Sequence, residues 1–417
     1  MGEMTVLLDS CRVVRARSLS EAIKLLASET GVALIAGGTD LVVKLKDGAL
    51  RPSVLVAIDG LPELSTIEGR DGEGLWVGAA ATHADIMASP AVRDSAPLLA
   101  AACATVGSPQ IRNRGTIGGN VVTASPAGDA IPALLCLDAV VHIDGAAGER
   151  AVPAERFFVG PGRTVLAAGE MVTGFLIPPT TAARRWAYRK LGQRKALSVS
   201  IAGVAVTLGI VDGAVVHARV ALGSVAPTVR RAPALERALI GPVPDETHLM
   251  DLAALAREAA SPITDIRGSA TYRLDMVEAL TYQALYEALH CDPSQPGAAA
   301  TGPRPWPPLE RTADDVGQCC GRGAARRDAG LDEARPAGTV RIEIALHGGL
   351  SAAGAGAGDA PRTMDLPAGT SVAGLWKHLG VDGDGYIVAL VNGRRYFDDM
   401  VLNDGDKVSL MRPVGGG

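Results

Sequence analysis

Two glycine stretches carry the clearest chemical signal in this chain: Ala36-Gly37-Gly38-Thr39-Asp40 and Thr116-Ile117-Gly118-Gly119-Asn120. A double glycine leaves backbone N–H groups uncovered by any Cβ, which is what a phosphate oxygen needs. Neither stretch has the G-x-G-x-x-G spacing of a dinucleotide fingerprint, nor the G-x-x-x-x-G-K-[ST] spacing of a Walker loop. Alone, a Gly-Gly after a strand reads as a tight turn. Two such loops can hold a pyrophosphate from both sides, which points to a dinucleotide cofactor bound outside the usual nucleotide folds.

The elements around the loops must aim those N–H groups. Ser18-Leu19-Ser20-Glu21-Ala22 predicts a capped helix start, with Ser18 or Ser20 as N-cap. Val32-Ala33-Leu34-Ile35 predicts a buried strand running into the first loop, and Thr39 or Asp40 can cap the helix that follows, with Leu41 and Leu45 on one face. A strand–Gly-Gly–helix unit turns helix N–H groups toward whatever sits in the loop. Ahead of the second loop, Leu98 to Val106 reads as a helix and Gln110 to Arg114 as a polar stretch with two arginines. Ser125-Pro126-Ala127-Gly128-Asp129 follows, where Asp129 taken alone would be a helix cap. Val199–Val211 and Val215–Leu222 predict paired strands joined at Asp212-Gly213. Leu252–Ala260 and Leu274–Leu289 predict helices.

The chain has 417 residues, 47% of them apolar and 3% aromatic, which allows two to four globular domains. A net charge of −5 argues against nucleic acid as the main partner. No secretory signal precedes Arg12, Val6 stands where myristoylation wants Ser or Thr, and Val199–Val211 is too short to span a bilayer. The expected location is cytoplasmic. Cys11, Cys103, Cys136, Cys291, Cys319 and Cys320 form no C-x-x-C pair and fit neither a zinc site nor an iron–sulfur cluster, so reduced thiols and no metal are expected. Residues 291–338 crowd Pro293, Pro296, Pro303, Pro305, Pro307 and Pro308 before a Gly/Arg-rich run, a composition that reads as a flexible linker.

Together with Gln110-Ile111-Arg112-Asn113 and the run from Ser125-Pro126 to Asp129, the two glycine loops closely resemble the FAD-binding subunit of the molybdenum hydroxylases, the xanthine dehydrogenase and carbon monoxide dehydrogenase family. Tyr188-Arg189-Lys190-Leu191-Gly192-Gln193-Arg194 is similar to the segment that opens that family's C-terminal flavoprotein domain. The resemblance covers residues 1 to about 290 in the family's order. It implies an α+β fold, with a two-subdomain FAD-binding domain over 1–177 and an α/β flavoprotein domain over 178–290. It implies an oxidoreductase holding FAD noncovalently. Residues Ala36, Gly37, Gly38, Thr39 and Asp40 and residues Thr116, Ile117, Gly118, Gly119 and Asn120 would contact the FAD pyrophosphate. Asp129 would bond the ribose or adenine end, and Ile177 and Lys190 would approach the flavin. His83, the only histidine between the loops, lies in neither. No general acid–base pair stands out, so no catalytic residue is assigned.

Members of this family pass electrons among a molybdenum–pterin centre, two [2Fe–2S] clusters and FAD. Two such clusters take four cysteines each, more than this chain has. The resemblance therefore implies a large molybdopterin subunit and a small [2Fe–2S] subunit as partners. Electrons would arrive singly at the flavin and leave as a pair. The substrate oxidised at molybdenum and the final acceptor stay open. A stand-alone flavoenzyme is one rival reading; an assembly protein with structural FAD is another.

Residues 339–417 lie outside that resemblance. Strands over Thr339–Leu346, Thr363–Leu366, Ile387–Val391 and Val408–Met411, a helix over Ser371–Leu379, a Gly/Ala loop over 348–358 and a turn at Asn392-Gly393 give a ββαββ order. This order resembles the ubiquitin-like (β-grasp) sulfur carriers of thiamine and molybdopterin synthesis, whose flexible C-terminal Gly-Gly is adenylated and then thiocarboxylated. Gly416 and Gly417 match that tail, and an adenylating enzyme would then be a further partner. The bland alternative is a docking module with a frayed end.

Overall fold

The computed structural model describes residues 11–179, 184–192, 199–265, 267–290, 339–347, 362–379, 388–391, 394–396 and 400–411. The chain divides into two compact units at Gly302/Pro303. The first unit opens with β1 (Arg12–Arg15), α1 (Leu19–Ser28), β2 (Val32–Ile35), α2 (Leu41–Lys46) and β3 (Val54–Ala57). These strands form a parallel sheet in the order β1-β3-β2. Ser18 caps α1, its hydroxyl accepting from Glu21 N at 3.2 Å. The strand ahead of the first loop is half-buried rather than buried, because β2 is an edge strand. The central strand β3 takes the core instead, with Val54, Leu55 and Val56 all buried.

Next come α3 (Pro62–Ser65), β4 (Ile67–Arg70), β5 (Gly74–Gly78), α4 (His83–Ala88), α5 (Pro90–Ser95), α6 (Pro97–Ala104), α7 (Pro109–Arg112), α8 (Ile117–Thr123) and α9 (Ala130–Cys136). The strands β6 (Val140–Gly145), β7 (Arg150–Pro153), β8 (Phe158–Gly160), β9 (Arg163–Thr164) and β10 (Glu170–Ile177) complete this part. β4-β5-β10-β6-β7 form an antiparallel sheet. One apolar core joins it to the helices through Ile86, Leu99, Ile117, Leu134 and Phe175, all buried.

The third sheet is built from β11 (Arg184–Gly192), β12 (Ser200–Val211), β13 (Ala214–Gly223), β14 (Arg230–Arg231) and, beyond α10 (Pro233–Ala238), β15 (Gly241–Pro242). Asp212 and Gly213 join β12 to β13 with φ of 48° and 75°, the two left-handed residues a tight hairpin turn needs. The helix expected over Leu252–Ala260 starts earlier, as α11 (Glu246–Ala254) capped by Asp245, and its tail tightens into a 3-10 turn over Leu255–Ala259. The long α12 (Ala270–His290) packs along β11 and β12.

The second unit contains β16 (Thr339–His347), β17 (Arg362–Pro367), α13 (Val372–Leu379), β18 (Val388–Val391), β19 (Arg394–Tyr396) and β20 (Lys407–Met411). The sheet order is β17-β16-β20-β18-β19, with β16 and β20 parallel at its centre. This is a β-grasp sheet with one strand more than expected. The extra strand, β19, spans three residues, Arg394–Tyr396, too few for a period-two pattern to show. The Gly/Ala loop 348–358, the Asn392-Gly393 turn, the linker 291–338, Cys291, Cys319, Cys320, Gly416 and Gly417 lie outside the described residues.

Candidate functional site

The first glycine element leaves the carboxyl end of β2, and its neighbour Ile35 lies beside Ala57 of β3. Ligands of parallel sheets sit at this end of the strands. Among the described residues, the backbone N–H groups of Gly37, Gly38, Thr39 and Asp40 have no hydrogen-bond acceptor. Gly38 has φ +74°, a left-handed conformation that glycine adopts without strain. Gly37 is glycine for another reason: a Cβ there would run into the carbonyl oxygen of Arg114. The first element is therefore pressed against the chain just ahead of the second. A Cβ on Gly115 would stand 3.4 Å from both Thr39 Oγ1 and His83 Cδ2.

The second element is not a loop but the opening turn of α8. Ile117 N donates to Ala81 O at 3.0 Å and Gly118 N to Ala79 O at 2.8 Å. Thr116 caps the helix, its Oγ1 accepting from Gly119 N at 3.1 Å, and Asn120 N donates to Thr116 O at 3.0 Å. These four N–H groups are spent inside the protein, so the bare donors expected here are absent. Gly118 is required by packing, since its Cβ would lie 2.5 Å from Ala79 O, whereas Gly119 would meet only Thr116 Oγ1 at 3.0 Å. What this element offers is Asn120, whose Oδ1 is buried without a partner. The two elements are also tied together. Thr123 Oγ1 donates to Asp40 Oδ2 at 3.2 Å, and Lys44 Nζ lies 2.6 Å from the same oxygen. Asp40 is thus committed to this tie and does not cap α2 through its side chain.

Asp129 does not act as a side-chain cap either. Its Oδ2 accepts from Lys190 Nζ at 2.6 Å, and the same ammonium donates to Thr105 O at 2.9 Å. Tyr188 Oη donates to Asp129 O at 2.9 Å. Burial pushes the Asp129 carboxyl up to about 6, against the pull of Lys190. Burial and the Asp129 charge together raise the Tyr188 hydroxyl well above its ordinary value. Asp129 Oδ1 is buried without a partner. Asp129 and Lys190 were expected at opposite ends of an extended dinucleotide. A bond of this length brings the two side chains together.

Ile177 is not brought to this cluster. It pairs with Leu75 in the core and is only 2% exposed. Earlier on β10, Thr173 O accepts from Ala79 N at 3.0 Å, and Ala79 O in turn accepts from Gly118 N. Ile177 lies four residues further on, roughly 13 Å at the rise of a strand.

Sequence reading also passed over Ala79–His83. This segment receives the helix turn of the second element and bridges Thr82 to Thr116. Its signal was the capping box Thr82-His83-Ala84-Asp85, in which Asp85 Oδ2 accepts from Thr82 N at 3.1 Å. Among the described residues, no group of His, Cys, Asp or Glu could hold a metal ion, and no helix is long and apolar enough to cross a membrane.

Unpaired backbone N–H groups from Gly37 to Asp40, on a segment pressed against Arg114, are donors of the kind an anionic group takes up. Residues 9–180 match the FAD binding domain in molybdopterin dehydrogenase, residues 186–288 the CO dehydrogenase flavoprotein C-terminal domain, and residues 357–417 the ThiS family. The nicotine 6-hydroxylase medium subunit of Paenarthrobacter nicotinovorans is 33% identical over 67% of this chain and 98% of its own. The carbon monoxide dehydrogenase medium chain of Hydrogenophaga pseudoflava is 33% identical over 65% of this chain and 94% of its own. The solved carbon monoxide dehydrogenase from Hydrogenophaga pseudoflava aligns with a TM-score of 0.64 at 35% identity, covering 67% of this chain and 96% of that one. Quinoline 2-oxidoreductase from Pseudomonas putida 86 aligns with a TM-score of 0.63 at 33% identity, covering 66% of this chain and 96% of that one. The chain belongs to the FAD-binding medium subunits of the molybdenum hydroxylases, with a ThiS-family domain at its C-terminal end. It is an oxidoreductase subunit whose FAD-binding domain precedes a flavoprotein C-terminal domain. The ThiS match begins after β16, the strand that the β-grasp sheet places between β17 and β20.

Proposed function

We propose that this chain is the electron-transferring FAD subunit of a multi-subunit molybdenum hydroxylase. It takes electrons from [2Fe–2S] clusters on a small partner subunit, supplied in turn by a large molybdopterin subunit, and passes them to an external acceptor. When bound, the flavin supplies the exchange between single electrons and pairs. The observation that carries the reading is the row of unpaired N–H groups from Gly37 to Asp40. N–H groups in such a row are what a pyrophosphate would take up. The Thr116–Asn120 turn supports the cleft by packing on Ala79 and contributes side chains rather than bare amides. Asp129 and Lys190 act together at one end of the cofactor, and β10 supports the site through Thr173, which holds Ala79 beneath Gly118.

For the C-terminal domain we propose a sulfur-carrier role, adenylated at Gly417 by a separate enzyme and serving molybdopterin synthesis. The β-grasp order with parallel central strands supports it. The experiment for the main reading is to purify the chain from its native host and identify what accompanies it. Substrate added to the complex should then bleach the flavin absorbance before acceptor is supplied. A chain that purifies alone, and whose flavin is reduced directly by a small substrate, would favour the stand-alone flavoenzyme.

A further inference from the structure

His83 stands outside both glycine elements, yet its ring reaches Gly115, the residue just ahead of the second. It is 2% exposed and opens α4 just after the capping residue Thr82. Its backbone N donates to Gly115 O at 3.0 Å. On one side of the ring, Nδ1 lies 3.3 Å from Cys103 Sγ, a fully buried thiol. On the other side, Cδ2, the carbon bonded to Nε2, faces Gly115 and through it Thr39 Oγ1. Nε2 has no hydrogen-bond partner among the described residues, and it is not among the polar atoms sealed from solvent.

The Cys103 contact decides the tautomer. Burial raises the thiol far above its ordinary value, so it stays protonated. An imidazole nitrogen is a better acceptor than a thiol sulfur, and among the described residues Nδ1 is the only partner within reach of that S–H. Nδ1 therefore accepts, and the ring proton sits on Nε2, on the side of the glycine elements. We propose that His83 is a further cofactor-binding residue, its Nε2–H donating to a phosphate oxygen of the bound dinucleotide, with Cys103 as the positioning residue that sets the tautomer. This rests on the FAD reading above. It adds a neutral side-chain donor to the backbone donors of Gly37–Asp40, on the side where the second element has spent its own. Burial, helped by the positive charge of Arg112, holds the imidazolium form down to about pH 4, so the donor is uncharged near neutrality.

The test compares the full-length chain with His83→Phe, His83→Gln and Cys103→Ala. Affinity is measured for FAD and for ADP, which carries the pyrophosphate without the flavin. His83→Phe keeps the ring shape without nitrogens and should weaken both ligands about tenfold. His83→Gln restores an N–H near the Nε2 position and should recover most of that loss. Cys103→Ala should fold, give a mixture of tautomers in the nitrogen NMR spectrum of His83, and weaken binding by a smaller factor. Should His83→Phe fail to fold, the wild-type spectrum decides: ADP must shift the Nε2–H signal of His83. Unchanged affinity in His83→Phe, a loss for FAD but not ADP, or an Nε2–H signal indifferent to ADP would each overturn the assignment while leaving the FAD reading standing. A wild-type chain that takes up no FAD would overturn both.

Discussion

Lys190 Nζ and Asp129 Oδ2 meet at 2.6 Å with both side chains 10% exposed, so one nearly buried ion pair joins β11 to the start of α9. Removing one partner of such a pair strands the other in a medium that solvates charge poorly. Lys190→Met should therefore destabilise the FAD-free protein by about 3 kcal/mol near pH 8. The cost should shrink near pH 5, where the stranded carboxyl takes a proton instead. The double variant with Asp129→Asn should recover part of the loss, which urea titration in a double-mutant cycle will read. Additive losses would mean that the pair contributes nothing as a pair.

The glycines should separate by role. A Cβ on Gly37 runs into Arg114 O, and one on Gly118 into Ala79 O, so Gly37→Ala and Gly118→Ala should each cost about 2 kcal/mol or more and release FAD through loss of the cleft. Gly119 would meet only the hydroxyl of Thr116, so Gly119→Ala should fold nearly as well as wild type. Thermal melts and flavin content of the three variants check this. Equal melting losses in all three would show that the tight contacts at Gly37 and Gly118 do not govern them.

Acid should act on two buried groups in opposite directions. The folded value of His83, about 4, lies below the ordinary 6.5, so its contribution to stability is full above pH 6.5 and is lost as pH falls toward 4. The folded value of Asp129, about 6, lies above the ordinary 3.8, so its contribution is full below 3.8 and is lost as pH rises through 6. Each is worth at most about 3 kcal/mol, and over their shared window they offset. Asp129→Asn should therefore lose stability on acidification from pH 6.5 to 4.5 more steeply than wild type, and His83→Phe less steeply. Parallel curves for all three proteins would remove both groups from the account.

Truncation after residue 290 should leave a folded, FAD-loaded protein. The two flavoprotein family matches end at residues 180 and 288, and the core clusters that pack the glycine elements and β10 lie ahead of the second end. Limited proteolysis should cut first between Cys291 and Gly338. A truncated chain that comes out colourless would show that the C-terminal unit helps to hold the cofactor.

Deleting Gly416 and Gly417 should leave FAD content unchanged and lower the molybdenum-cofactor content of the partner. Intact-mass analysis of the native chain should show some molecules with one oxygen replaced by sulfur. In the proposed carrier role, tethering would let the domain revisit its partners at high effective concentration. Normal cofactor loading without the tail, and no thiocarboxylate, would make the domain a docking module.

Much of the fold was legible because it rests on local chemistry. Ser18 as a cap, the Asp212-Gly213 turn and the helix ending in α12 follow from near-neighbour preferences that no tertiary contact reversed. The family membership was legible for the same reason, since its motifs are short and contiguous. The roles within the site were not. Whether a glycine is there to free an amide or to admit a carbonyl depends on what packs against it. Gly37 and Gly118 take their meaning from Arg114 and Ala79, and neither pairing could be read along the chain. Asp129 and Lys190 were read as separate contacts until β11 brought one to the other, and His83 looked idle until α6 set Cys103 against its ring. Sequence alone determined which short motifs exist and which cofactor class they suit, because those are properties of neighbouring residues. Only the tertiary structure decided which donors remain unpaired, because a hydrogen bond is spent or spared by whichever distant segment folding brings within 3 Å of it.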